Sequence, residues 1–146
     1  MIFGVALSWL CPYCIDMANN REVKTRIVDL VFPNQTNHLG TLFGGHALAL
    51  MDKAASVTAH RRACQTVVTA SLDRVDFLTP VYEGELVEVI ADVSHVGRTS
   101  LIVVTDLWAE NLITGERRLC TKGKFTMVAL DADGKPTPVP PMESDG

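Results

Sequence analysis

The sequence predicts an α+β fold in which a curved antiparallel sheet wraps around one long central helix. Residues from about Gly45 to Arg62 are helix formers without proline, and segments with strand-like alternation lie before and after them. Turn residues separate the later segments at short intervals, which favours strands that pair antiparallel with their neighbours in sequence.

The first strand is predicted over residues 21–32. Val23, Thr25 and Ile27 fall on one side of an extended chain, with charged residues largely between them. Pro33 ends the strand because it lacks a backbone N–H for the sheet.

The helix that follows is apolar on nearly all sides until His60, Arg61 and Arg62. A helix of this kind is expected to be largely buried, and its many alanines allow close approach of another surface. The basic residues at its end complement the helix dipole.

Four further strands are predicted after the helix, joined by hairpins. Gly97-Arg98 and Thr114-Gly115 have the residues of tight turns. The strands are expected at residues 66–77, 84–96, 100–111 and 116–130. The exposed edges of such a sheet favour pairing with a second copy of the chain.

Composition fits one globular domain, predicted at residues 21–131. The chain has 146 residues, of which 47% are hydrophobic and 21% charged. A formal net charge of -4 argues against nonspecific nucleic-acid binding, and no segment predicts a membrane span. Four cysteines in this length do not make a disulfide scaffold, so a reducing cytoplasm is expected.

The two ends of the chain fall outside this domain. Residues 1–20 begin with a short apolar run and contain Cys11-Pro-Tyr-Cys14, which has the spacing of a redox motif. No strand of useful length precedes that motif, so a disordered, mis-started or interface-packing extension is preferred to redox catalysis. Residues 132–146 form a proline-rich extended tail.

The stretch from Pro33 to Lys53 is where the chemistry is expected. A turn rich in Asn and Gly leads through Gly44-Gly45 into an apolar helix that carries one acid, Asp52. Backbone N–H groups at a helix start favour developing negative charge. A carboxylate among apolar residues must find a partner, meet water in a cleft or change its pKa.

The sequence resembles the hot-dog-fold acyl-CoA thioesterases in a set of residues with characteristic spacing. These residues are Pro33, Asn37, Gly40, Phe43-Gly44-Gly45 and Met51-Asp52. The resemblance is to small bacterial acyl-CoA hydrolases related to brain acyl-CoA hydrolase. It extends roughly from Glu22 to Leu130. It implies hydrolysis of an acyl-CoA to a fatty acid and coenzyme A, with no other cofactor, in a homodimer or a trimer of dimers that associates through its sheets.

The same resemblance implies the site residues. Asn37 would position the carbonyl or the water, the Gly45 N–H would bind the oxyanion, and Asp52 would activate water. Coenzyme A phosphates call for cations and hydroxyl or N–H donors. The candidates for substrate and coenzyme A binding are His38, Gly44, Arg98, Thr99, Ser100, Lys122 and Lys124.

The spacing of Gly45 and Asp52 favours a site that is shared between two subunits. Gly45 and Asp52 are seven residues apart, which is about 10 Å along a helix and too far for two groups that act on one carbonyl. We therefore expect Asp52 from one subunit to meet Asn37 and Gly45 from its partner.

Other readings of the same residues stay open. Asn37 is also a common turn cap, Gly40 suits a turn, and a buried Asp52 is sometimes purely structural. A general base and a nucleophile are both consistent with Asp52. A non-catalytic acyl-CoA sensor and an enoyl-thioester hydratase are the alternative functions. His46, His60 and His95 lack ligand spacing, so no metal site is expected.

Overall fold

The computed structural model describes residues 23–140, which form one long helix and five strands. In chain order these are β1 (Thr25–Leu30), a 3₁₀ turn (Pro33–Gln35), α1 (Gly44–Ala63), β2 (Thr66–Phe77), β3 (Leu86–Val96), β4 (Ser100–Glu110) and β5 (Arg117–Leu130). The predicted hot-dog arrangement of helix and antiparallel sheet is confirmed. The predictions for residues 1–20 and 141–146 lie outside the described residues.

The strand order β1-β3-β4-β5-β2 shows that one predicted hairpin was wrong. β2 pairs with β5 at one edge, whereas β3 pairs with β1 and β4 toward the other edge. The connection from Leu78 to Glu85 therefore crosses the end of the sheet instead of turning back. Register shifts place bulges in β2, β3 and β5, which bend strands and curve the sheet.

The helix packs on the inner face of this sheet. Met51, Phe125, Leu101 and Leu107 are fully or almost fully buried between the two layers. A Cβ at Gly123 would lie 2.8 Å from the Met51 methyl group, so glycine on β5 makes room for the helix. The close contact fixes the height of α1 above the sheet.

The prediction of a largely buried helix holds for the face of α1 that packs on the sheet. Gly45, Ala49, Lys53 and Val57 recur every four residues and form an exposed stripe along α1. Five strands of one chain cover only the opposite face. Within the described part of the chain, no other segment covers the stripe.

The described part of the C-terminal tail packs back on the domain. The N–H of Thr137 donates to Ala129 at 2.9 Å, and the N–H of Val139 donates to the Arg98 carbonyl at 2.8 Å. Val139 is buried, and the Arg62 guanidinium donates to Pro140 at 2.7 Å. The tail thus braces the turn between β3 and β4.

Candidate active site

Asn37 lies at the centre of a tight turn that precedes the helix. Its Oδ1 accepts hydrogen bonds from the Leu39 N–H at 2.9 Å, the Thr41 N–H at 3.2 Å and the Thr41 hydroxyl at 3.1 Å. Gly40 adopts φ +74° in this turn, a conformation that favours glycine. Because the three donors bind the oxygen, the opposite end of the amide, Nδ2, is directed away from the turn as a donor.

The first turn of α1 presents backbone donors beside this turn. The N–H groups of His46 and Ala47 bind the Phe43 carbonyl at 2.9 and 3.1 Å. Those of Gly44 and Gly45 have no backbone acceptor within residues 23–140. A Cβ at Gly45 would lie 2.8 Å from the Phe43 ring, so a larger residue here would displace that ring. The helix dipole makes this end favourable for an anion.

A pocket of about 270 Å³ opens beside the same helix start. Most of its lining is apolar, which suits a hydrocarbon chain. The lining residues are Leu42, Gly44, Ala47, Phe77, Leu78, Thr79, Pro80, Val81 and Thr121. Phe77 and Leu78 are also largely exposed, so the apolar surface continues out of the pocket mouth.

Asp52 lies further along α1, half-buried, and faces β2. The Thr69 hydroxyl donates to Asp52 Oδ1 at 2.6 Å. Oδ2 accepts no hydrogen bond within the described residues, so it is the oxygen that can accept from a water molecule. The threonine fixes the rotamer of the acid and leaves one oxygen for chemistry.

The single chain therefore holds two half-sites. The donor half-site consists of Asn37, Gly44 and Gly45, and the acid half-site consists of Asp52 and Thr69. Two helical turns, about 10 Å, separate Gly45 from Asp52 along α1. The acid half-site lies beside β2, which among residues 23–140 pairs with β5 alone and therefore has a free edge there.

The coenzyme A candidates lie in two different places. Arg98, Thr99 and Ser100 form the β3–β4 turn, where Arg98 is exposed and Ser100 pairs with Val128 near the end of β5. That end of the sheet is opposite the start of α1. The structure thus keeps this turn apart from the donor half-site of the same chain.

Lys122 and Lys124 are on the outer face of the sheet. They are exposed and alternate along β5 with buried residues that face the helix. They do not share a face with Asp52 in one chain. His38 is exposed beside Asn37 and does not line the pocket at the start of α1.

Thr69 is the site residue that sequence reasoning missed. It lies in a predicted strand, and nothing in the alternation of apolar residues distinguishes it from Thr66. A polar side chain in β2 that faces the one acid of α1 becomes visible only when helix and strand are docked. Within residues 23–140 no cluster of three or more His, Cys, Asp or Glu side chains has the geometry of a metal site. None of the helices in that range is long and apolar enough to cross a bilayer.

Residues 39–116 match the family model of the thioesterase superfamily. An uncharacterized acyl-CoA thioester hydrolase of Bacillus subtilis is 42% identical over 120 residues, which cover 82% of this chain and 70% of that protein. A crystal structure of an apo-hexameric acyl-CoA thioesterase superposes with a TM-score of 0.81 at 46% identity, covering 86% of this chain and 80% of the other.

An acyl-CoA hydrolase of Staphylococcus aureus, solved in complex with butyryl coenzyme A and coenzyme A, gives a TM-score of 0.80 at 38% identity. The superposition covers 86% of this chain and 76% of that one. Alanine variants of that hydrolase at an asparagine, an aspartate and a threonine have also been solved. Those three residues are spaced along its chain as Asn37, Asp52 and Thr69 are spaced here.

Proposed function

Since this chain belongs to the thioesterase superfamily, we propose that its two half-sites together hydrolyse acyl-CoA thioesters. The chain is an acyl-CoA thioester hydrolase, as its relatives are. The observation that carries the assignment of roles is the orientation of Asn37. Three donors hold its oxygen, so its Nδ2 is the end left to donate to a substrate, while the Gly45 N–H is a second donor without a backbone acceptor in residues 23–140.

The reaction begins with a water molecule on Asp52. Its carboxylate takes a proton from the water, and the oxygen attacks the thioester carbonyl carbon. The carbonyl oxygen becomes an oxyanion, which the Gly45 N–H and Asn37 Nδ2 stabilise. When the C–S bond breaks, the proton held by Asp52 goes to the thiolate of coenzyme A, and the acyl group leaves as a carboxylic acid.

The reacting groups come from two subunits in this proposal. About 10 Å along α1 separates the two half-sites of one chain, and the free edge of β2 lies beside the acid half-site. A second chain placed along that edge brings its donor half-site to Asp52. Hexameric relatives support a further assembly of such dimers.

The pocket at the start of α1 is the proposed acyl site, because Gly44, the neighbour of Gly45, lines it and most of its other lining side chains are apolar. Arg98, Thr99 and Ser100 remain the first candidates for the coenzyme A phosphates, since the tail braces their turn and Arg98 is exposed. Lys122 and Lys124 are the second candidates.

The test is release of free thiol from a series of acyl-CoAs by the purified protein. We expect Asp52→Asn to lower kcat by about 10²- to 10⁴-fold, the usual contribution of a general base. Thr69→Val, which leaves the carboxylate in place, should lower kcat less. Binding without thiol release would instead indicate an acyl-CoA sensor, and water addition to an enoyl thioester would indicate a hydratase. Either outcome would overturn hydrolysis.

A further inference from the structure

Glu85 and Arg118 form a two-pronged ion pair beneath the pocket wall. The guanidinium donates to Glu85 Oε1 at 2.8 Å and to Oε2 at 2.6 Å. The side chains are only 9% and 21% exposed, respectively. Arg118 is on β5, and Glu85 directly precedes β3, so the pair joins two strands that are not neighbours in the sheet.

Both members of the pair also hold the backbone of the connection between β2 and β3. Arg118 donates a hydrogen bond to the Pro80 carbonyl at 2.9 Å, and Glu85 Oε2 accepts one from the Tyr82 N–H at 2.8 Å. The guanidinium also lies 5.6 Å from the centre of the Tyr82 ring. One ion pair therefore fixes the chain on both sides of Val81.

The segment held in this way is the wall of the pocket. Four consecutive residues, from Leu78 to Val81, line it. The start of the segment is anchored separately, because the N–H groups of Leu78 and Thr79 donate to the Cys120 carbonyl at 2.8 and 3.3 Å. The Val81 carbonyl accepts a hydrogen bond from the Leu42 N–H at 2.7 Å, and the ion pair anchors the backbone on either side of that residue, at Pro80 and Tyr82.

A neighbouring ion pair resembles that of Glu85 and Arg118 but does not contact the connection between β2 and β3. Glu88 binds Arg117 at 2.7 Å and also pairs with Arg26, on the outer face of the sheet. Arg117 stacks on Trp108 at 4.8 Å. Neither residue lines the pocket or contacts the segment that does. The pair of Glu88 and Arg117 is therefore a matched control, since Arg117 directly precedes Arg118 on β5.

We propose that Glu85 and Arg118 are positioning residues that hold the Leu78–Val81 wall and thereby set which acyl chains the pocket accepts. This rests on the proposed hydrolysis and on the assignment of the pocket to the acyl group. Neither residue touches the reacting carbonyl. Their effect is therefore on the fit of the chain in the pocket, and the chemical step depends on the separate half-sites.

The experiment compares Glu85→Gln and Arg118→Lys with the control Glu88→Gln over saturated acyl-CoAs from acetyl to palmitoyl. Arg118→Lys keeps the positive charge but cannot bind the carboxylate and the Pro80 carbonyl with one planar fork. We expect both variants to change the ratio of kcat/KM between long and short chains by about tenfold, equivalent to 1.4 kcal/mol, mainly through KM. Glu88→Gln should keep the wild-type ratio.

Binding of non-hydrolysable acyl-CoA thioethers, measured by calorimetry, gives the same chain-length profile without turnover. If the wild-type protein binds thioethers but releases no thiol from acyl-CoAs, the proposed hydrolysis is refuted. The binding profiles of the variants then still test the role of the Leu78–Val81 wall. Equal losses of kcat/KM and affinity for all chain lengths would show that the pair is merely structural. A profile unchanged from wild type, or one that Glu88→Gln shares, would likewise overturn the inference. Circular dichroism and Tm show whether each variant folds. If Glu85→Gln does not fold, the chain-length profile of Arg118→Lys alone decides the inference.

Discussion

Asn37 uses the two ends of its amide for different purposes, and this explains why two interpretations of the residue were both reasonable. Its oxygen caps the turn through three hydrogen bonds. Its nitrogen is the end available to a substrate. A turn cap and a catalytic donor are compatible here, because the capping bonds also fix the direction of the donor.

The variant Asn37→Asp separates the capping role of the side-chain oxygen from the donor role of the side-chain nitrogen. The carboxylate keeps an oxygen for the N–H groups of Leu39 and Thr41 but replaces the donor with a second acceptor. We expect Tm to stay near the wild-type value while kcat falls by about 10²- to 10³-fold, the usual effect of losing one oxyanion donor. Thermal melts and the thiol-release assay measure both quantities. Wild-type kcat in Asn37→Asp would show that capping is the whole role, whereas Asn37→Ala should lose both stability and rate.

The sequence could suggest Asn37, Gly45 and Asp52 as site residues because their types and spacing fall in one continuous stretch. Thr69 could not be found in the same way. It lies where β2 has a register shift, between Thr69 and Ser71, so the side of the sheet that it faces does not follow from simple alternation. Its partnership with Asp52 depends on long-range docking.

Among the elements, the helix and every strand after it were predicted to within about two residues, since their periodicity is local. The β2–β3 connection was not. A short segment between two strands looks the same whether the strands pair or not, and β2 pairs with β5, the last strand of the chain. That unpredicted crossing is what builds the pocket wall.

The ion pair that anchors this crossing should make stability depend on acid. The hydrogen bonds from Arg118, and less so the Tyr82 N–H, hold the pKa of Glu85 below its ordinary value despite partial burial. As the pH falls, the Glu85 carboxylate therefore takes up a proton in the unfolded chain at a higher pH than in the folded protein. The stabilisation is complete above the unfolded pKa of about 4.3 and is lost as the pH drops through the lower folded pKa.

We accordingly expect Glu85→Gln to lower Tm at pH 7 and to reduce the fall in Tm between about pH 5 and pH 3. Melts at four or five pH values provide the measurement. Glu83→Gln, an exposed change on the same connection, should leave the curve unaltered. A Glu85→Gln curve parallel to the wild-type curve would contradict the linkage.

At the scale of the whole molecule, the features left unsatisfied by one chain lie together. The exposed stripe of α1, the free edge of β2 and the exposed side chains of Val68, Leu72 and Phe77 are features that a second copy can cover. Exposed apolar groups beside an unpaired strand favour association. The separation of the half-sites gives this association a catalytic consequence.

Mixing two inactive proteins tests that consequence. In a heterodimer of Asn37→Ala and Asp52→Ala chains, one composite site carries both changes and the other carries neither. If subunits exchange at random, half of the dimers are mixed and half of their sites are intact, so about a quarter of wild-type thiol release should return. Native mass spectrometry confirms the exchange. As a control, a chain that carries both changes, mixed with either single variant, should restore no thiol release. Full exchange without recovered activity would mean that each chain completes its site alone, and the two turns of α1 between Gly45 and Asp52 would then have to be spanned by the substrate itself.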